Sequence, residues 1–263
     1  MDAKKRILQD KKSLTEKRRG LNLFFDMNPP KFSIIVPVLH EAKRINDLIH
    51  HLKQLDAEKA CELIVTDGAP EKDTLNEILD DEVIKISSAK GRGKQMNAGA
   101  SVAKGDVLIF LHADTELPMS ALKRMNAFVR RSEYVGGAFN LGIQSNKFIH
   151  RAIAFLGSLR SRLNRIPYGD QAIFIRRDYF NEIGGYRDIP LMEDVELMRR
   201  IKRSGKKILI FYDRAMTSPR RWDEEGVIYC ILRNWTLQIL YVLGISPHQL
   251  VNFYKDGYQK GKR

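Results

Sequence analysis

The chain has 263 residues, 43% of them hydrophobic, enough for one medium-sized domain with a sizeable core and some appendages. Its 45 Lys and Arg outnumber 32 Asp and Glu, and the formal charge of +13 selects anionic partners such as phosphorylated ligands, an anionic membrane surface or nucleic acid. Two cysteines, Cys61 and Cys230, have neither zinc-ligand spacing nor the pattern of a disulfide framework, and the six histidines show no HExxH spacing, which excludes the familiar zinc classes.

Residues 1–30 read as a basic leader carrying Lys4, Lys5, Arg6, Lys11, Lys12, Lys17, Arg18 and Arg19, and they close on the breaker Asn28-Pro29-Pro30. The leader lacks the apolar stretch of a secretory signal, and Asp2, Asp10 and Glu16 argue against a mitochondrial transit peptide. The apolar run 32–36 is a strand closed by Pro37. A helix over 41–55 follows, with Ile45, Leu48, Ile49, Leu52 and Leu55 on one face. Residues 61–66 and 83–87 are strands, with a short helix around Leu75 and Ile78 between them. A Gly-rich loop opens a helix across 92–103, residues 107–111 form a fully apolar strand, and a helix fills 119–131. Strands alternating with helices predict a mainly parallel sheet covered on both faces.

The second half is more mixed. Strands are predicted at 135–143, 172–177 and 208–212, and helices at 148–163 and 192–204. The resulting division is a leader at 1–30, an α/β domain at 31–222, and a C-terminal amphipathic helix or helix pair with a basic tail at 223–263. The stretch 227–244 is the most membrane-like, but Arg233 and Asn234 near its middle favour a helix packed on the domain or lying on a membrane over a span. The tail adds Lys255, Lys260, Lys262 and Arg263. Aromatics are not interleaved with the basic runs, so no nucleic acid is expected. Contact with an anionic membrane surface is the functional reading of these ends, and a plain solvated face is the alternative. The expected location is the cytoplasm, with the inner face of the membrane as the surface they would meet.

Ligands bind in parallel sheets beyond the carboxyl ends of the strands. Those ends read Val38-Leu39-His40-Glu41, Asp67-Gly68-Ala69, the Gly91–Lys94 loop and His112-Ala113-Asp114, all rich in polar residues or glycine. Asp114, following an apolar strand, is placed to bridge a hard divalent cation to a diphosphate, or simply to cap the next helix. Asp67 ends a strand as either a base or ribose contact or an ordinary turn residue. The basic loop at Arg92 and Lys94 suits an anion at a helix start, though it has neither the P-loop nor the dinucleotide-binding spacing. Glu193-Asp194 opens a helix. Adjacent carboxylates can divide the work of orienting and accepting a proton, and first-turn acids also complement a helix dipole. Arg220-Arg221-Trp222 offers guanidinium groups for a diphosphate and an indole plane for a sugar, or a basic surface turn.

Taken together, SIIVPVLHEAKRI (33–45), VTDGAP (65–70), GRGKQMNAGA (91–100), LIFLHADTELP (108–118), GGAFN (136–140), PYGDQAIFIRR (167–177), GGY (184–186), LMEDVEL (191–197) and SPRRW (218–222) resemble a family 2 glycosyltransferase, most closely the small group called selenodomain-associated glycosyltransferases. The resemblance implies a GT-A fold and inverting transfer from a UDP- or GDP-sugar to an acceptor hydroxyl. It implies that Pro37, Val38 and Glu41 line the nucleotide pocket, that Asp67 contacts the base, and that Arg92 and Lys94 lie near the nucleotide or its phosphates. Asp114 becomes the ligand of a divalent metal, Mn²⁺ or Mg²⁺, and Asp194 the catalytic base. Arg221 and Trp222 become the end of the Q-x-x-R-W motif, while Asp170, Gln171 and Glu193 fall on the acceptor side. Two departures stand out. His112 occupies the place of the first acid of the D-x-D element, and Ser218 replaces the motif's glutamine. With no flanking spans, a processive synthase is not expected. A nucleotidyltransferase of similar fold and a nucleotide-sugar-binding protein without catalysis are the alternative readings.

Overall fold

A computed structural model describes residues 31–56 and 60–251. The basic leader and the tail, and with them the expected membrane contact through the termini, lie outside the described residues. The strands are β1 (Phe32–Val38), β2 (Cys61–Asp67), β3 (Ile84–Ser87), β4 (Val107–Phe110), β5 (Thr115–Glu116), β6 (Tyr134–Ile143), β7 (Ile173–Arg176) and β8 (Lys207–Thr217). The helices are α1 (Ile45–Leu55), α2 (Asp73–Asn76), α3 (Arg92–Val102), α4 (Ala121–Val129), α5 (Phe148–Asn164), α6 (Arg177–Glu182), α7 (Glu193–Arg203), α8 (Arg220–Glu225), α9 (Val227–Val242) and α10 (Pro247–Leu250).

The strands form a single sheet in the order β3-β2-β1-β4-β7-β6-β8-β5. β1, β2, β3 and β4 pair in parallel, as the alternating pattern predicts. From β7 onward the sheet is mixed. β7 runs antiparallel to both β4 and β6, and β6 pairs in parallel with β8. Both faces are covered, which is why the early strands read as apolar runs. On β1, Phe32, Ile34, Val36 and Val38 pack under α1 and α4 with Leu48, Ile49, Met125 and Phe128. Ile35 points the other way, into a second core with Met96 of α3 and Leu197, Met198 and Ile201 of α7.

Several elements differ from the sequence reading. α1 begins at Ile45, because residues 41–44 form a turn held by Glu41. The strand expected at 208–212 runs on to Thr217, and its far end pairs with β5, which the pattern did not reveal. The expected C-terminal helix pair is three helices broken at Gly226 and Gly244, both with positive φ. His51 of α1 pairs its ring with Leu117 O at 2.9 Å. Where β6 meets β8, a Cβ on Gly137 would lie 1.9 Å from Leu209 O, so only glycine permits this approach.

Candidate active site

The chain leaves β4 through Leu111 and His112 to Asp114, where two strand ends hold it. Thr115 pairs with Thr217 of β8, and the Ser218 N–H donates to Asp114 O at 3.0 Å. Across from it, Met192 adopts φ +67°, a left-handed conformation costly for a bulky residue, and so sets the first turn of α7. That turn presents Glu193 and Asp194. Asp194 Oδ1 accepts the Val195 N–H at 2.7 Å, and Oδ2 accepts the Gly169 N–H at 2.7 Å. One open cleft is lined by Arg92, His112, Asp114, Asp170, Glu193, Asp194, Arg221 and Trp222, with Asn234 and Gln238 of α9 on its outer wall.

The charges in the cleft are interdependent. Burial raises the Glu193 carboxyl, Asp194 adds to the rise, and Arg92, whose Nη1 lies 3.1 Å from Glu193 Oε1, opposes it. Burial, with Arg92 and Arg221 nearby, pushes the His112 imidazole well below its ordinary value, so the ring is neutral at pH 7. Burial lifts Asp170 to about 6; Arg160 and Arg221 pull it down, and Asp194 and Asp114 push it up. Its Oδ1 is buried without a hydrogen-bond partner.

An acid with a raised folded pKa holds more protons folded than unfolded, so its contribution to stability falls as pH rises from about 3.8 to about 6. Asp170→Asn is therefore expected to raise the melting temperature above pH 6, with the gain vanishing towards pH 4. A melting series across that range checks it, and an unchanged pH dependence would contradict it.

Not every residue singled out in the sequence reaches the cleft. Asp67 is fully buried. Its Oδ1 accepts the Ala69 N–H at 2.8 Å and its Oδ2 the Leu75 N–H at 3.4 Å, so it orders the loop after β2 and stands outside the cleft lining. Gln171, expected on the acceptor side, is 1% exposed. It bonds Ser161 Oγ at 2.6 Å and Phe139 O at 3.0 Å, which makes it a strut of the 167–172 loop. Pro37, Val38 and Glu41 stand at the end of β1, outside the cleft lining. Glu41 there lies 3.3 Å from Arg220, which leaves Arg221 to line the cleft. Lys94 is half-exposed and lies 3.3 Å from Asp188. Trp222 faces the cleft but also packs against the small core of Leu141, Ile143 and Ala154, with its ring 6.2 Å from that of His150.

Other contributors carried no readable signal. Gln95 donates to Val38 O at 2.6 Å and Thr66 O at 2.8 Å, clamping the ends of β1 and β2. Asn97 exchanges two bonds with the Tyr186 backbone, fastening α3 to the GGY loop. Arg160 stacks 3.2 Å from the Tyr168 ring centroid beside the cleft. The contacts of Gln95 and Asn97 depend on partners distant in the chain.

Among the described residues no three His, Cys, Asp or Glu side chains converge as a ready-made metal cage. Asp114, with repelling carboxylates nearby and the partnerless Asp170 oxygen, still fits a hard cation whose remaining ligands come from a bound diphosphate and water.

The glycosyl transferase family 2 model matches residues 33–188. No curated protein matches the chain. Similar solved structures include the mannosyltransferase PcManGT from Pyrobaculum calidifontis in complex with GDP-Man and Mn2+, at 17% identity and TM-score 0.57, covering 72% of this chain and 57% of that one. S. aureus TarS 1-349 in complex with UDP-GlcNAc is similar at 18% identity and TM-score 0.55, covering 72% and 58%. TarS 1-349 alone matches at 19% identity and TM-score 0.54, covering 80% and 65%. The chain thus spans between 57% and 65% of these proteins' lengths. At such identities the likeness shows the fold, which is GT-A.

Proposed function

The chain belongs to glycosyl transferase family 2, and from that premise we propose that it transfers a sugar from a nucleoside-diphosphate donor to an acceptor hydroxyl with inversion at the anomeric carbon. The observation that carries the reading is the single cleft joining Asp114, Arg92 and Arg221 to the Asp194 carboxylate. The structural neighbours' complexes with GDP-Man and UDP-GlcNAc support a nucleotide-sugar donor.

In one in-line displacement the acceptor oxygen bonds the anomeric carbon as the bond to the diphosphate oxygen breaks. Asp194 takes the acceptor proton. Its two backbone hydrogen bonds fix the orientation of the carboxylate, and each oxygen keeps a lone pair for the incoming hydroxyl. Arg221 and Arg92 face the departing diphosphate, where guanidinium groups stabilise the charge it gains. Glu193, buried against Arg92, holds that guanidinium at the cleft. A divalent cation at Asp114, Mn²⁺ or Mg²⁺, would supply further neutralisation of the leaving group when bound. His112 stands where an acid would give a second charged ligand, so Asp114 would be the residue to hold the cation together with the diphosphate.

The test is product analysis after incubation with a panel of UDP- and GDP-sugars and either metal. Release of nucleoside diphosphate supports the proposal. Release of pyrophosphate would mark a nucleotidyltransferase, and donor binding without any product a sensor. Asp114→Ala is expected to weaken the metal-dependent thermal stabilisation by nucleoside diphosphate by roughly tenfold in apparent affinity, about 1.4 kcal/mol. Full retention of that stabilisation would remove Asp114 from the metal site.

A further inference from the structure

The outer surface beside the cleft has an unusual composition. Along α5 the side chains of Phe155, Leu156 and Leu163 are 63%, 60% and 77% exposed, and along α9 those of Leu232, Trp235 and Ile239 are 60%, 67% and 58% exposed. Leu163 lies seven and eight residues, or two helical turns, beyond Leu156 and Phe155, and the α9 residues are three and four apart, so each set falls on one helical stripe. On α9, Asn234 and Gln238 line the cleft beside the buried Cys230 and Leu237, while Leu232, Trp235 and Ile239 face outward.

The charges on these helices have one sign. α5 carries Arg151, Arg160 and Arg162 and no acid, with Arg151 exposed and Arg160 and Arg162 partly buried over Tyr168 and Tyr212, while the one charged residue of α9, Arg233, is buried against Glu225. Both helices are tied to α8, the short helix that brings Arg221 and Trp222 to the cleft. Lys147, just before α5, lies 2.5 Å from Asp223, and Arg233 pairs with Glu225. No described helix is long and apolar enough to cross a membrane. Amphipathic helices with large apolar side chains and basic companions lie in the interface of an anionic bilayer, where apolar burial and charge attraction act together. A chain with formal charge +13 adds to that attraction.

We propose that the outward faces of α5 and α9 dock this protein on an anionic lipid bilayer, which brings the α9 wall of the cleft to the lipid surface. The docking goes beyond the transferase reading and does not depend on it, because its test uses no activity measurement.

The full chain is sedimented with vesicles of phosphatidylcholine alone and with vesicles containing phosphatidylglycerol, at low and high salt. Strong partition to the anionic vesicles is expected, with a fraction persisting at high salt. Leu156→Ser combined with Trp235→Ser should weaken partition roughly tenfold or more, with the high-salt fraction lost. Both positions are exposed, and a melting curve checks that the variant folds. In the unmodified chain, brominated lipid should quench tryptophan emission, and Trp235→Phe should remove most of that quenching. Equal partition of variant and parent would reduce binding to charge on other segments and overturn the proposal. A dimer that the same substitutions dissociate, with no vesicle binding, would assign the surface to a second copy instead.

Discussion

Replacing Asp194 with asparagine is expected to lower kcat by about 10²- to 10⁴-fold, the usual contribution of a positioned general base. The change is nearly isosteric. The amide oxygen can still accept one of the two backbone N–H groups that now hold the carboxylate, from Gly169 or Val195, so the loop and the start of α7 should stay in place. What disappears is the capacity to take the acceptor proton. Nucleotide-sugar affinity, read by thermal shift, should change little, because Arg92, Arg221 and Asp114 remain. The diagnostic result is therefore a fall in kcat at unchanged donor affinity. Turnover near that of the parent would remove Asp194 from the chemistry and direct attention to Asp170, whose partnerless oxygen lies in the same cleft.

The second large effect is expected from a residue that does no chemistry. A Cβ on Gly169 would sit 2.5 Å from His112 Nε2, 2.9 Å from Cε1 and 3.6 Å from Asp194 Oδ2. Gly169→Ala must therefore move either the imidazole or the loop. If the loop moves, it carries the Gly169 N–H away from Asp194, and a shift of about 1 Å in a catalytic group costs on the order of 10²-fold. The expectation is a kcat loss of that size with only a modest change in melting temperature, because the site is open to the cleft. Adding His112→Ala to Gly169→Ala relieves the clash, and recovery of part of the lost kcat in the double variant would show that the two residues act through one contact. A Gly169→Ala enzyme with parental kcat would show that the ring yields freely and that the loop does not set the position of Asp194.

These two predictions draw on different levels of information. Asp194 was visible as half of an acidic pair opening a helix, next to an apolar stripe that the sequence displays openly. Gly169 was visible only as a letter within PYGDQ; its importance comes from an imidazole that approaches it across the cleft. Asp67 and Gln171 illustrate the converse. Both are polar residues in segments that resemble the family, and both turn inward to satisfy buried backbone or hydroxyl groups. A buried polar group must be bonded, but the sequence does not say to what, so a structural carboxylate and a ligand-binding one look alike.

What the sequence by itself determined is what depends on local pattern. The uninterrupted apolar runs at 32–36 and 107–111 specify strands buried on both faces, and the helical stripes between them specify covering helices. From those follow the parallel half of the sheet and the polar strand ends around Asp114. What only the tertiary structure decided is what depends on which strand lies beside which. The antiparallel entry of β7 next to β4, the pairing of the end of β8 with β5, and the bond from Ser218 to Asp114 are contacts between distant segments. The same is true of the division between Arg220, which meets Glu41, and Arg221, which lines the cleft. Periodicity records that a residue is buried; strand register and long-range packing decide its neighbours, and those neighbours turned scattered acids and arginines into one site.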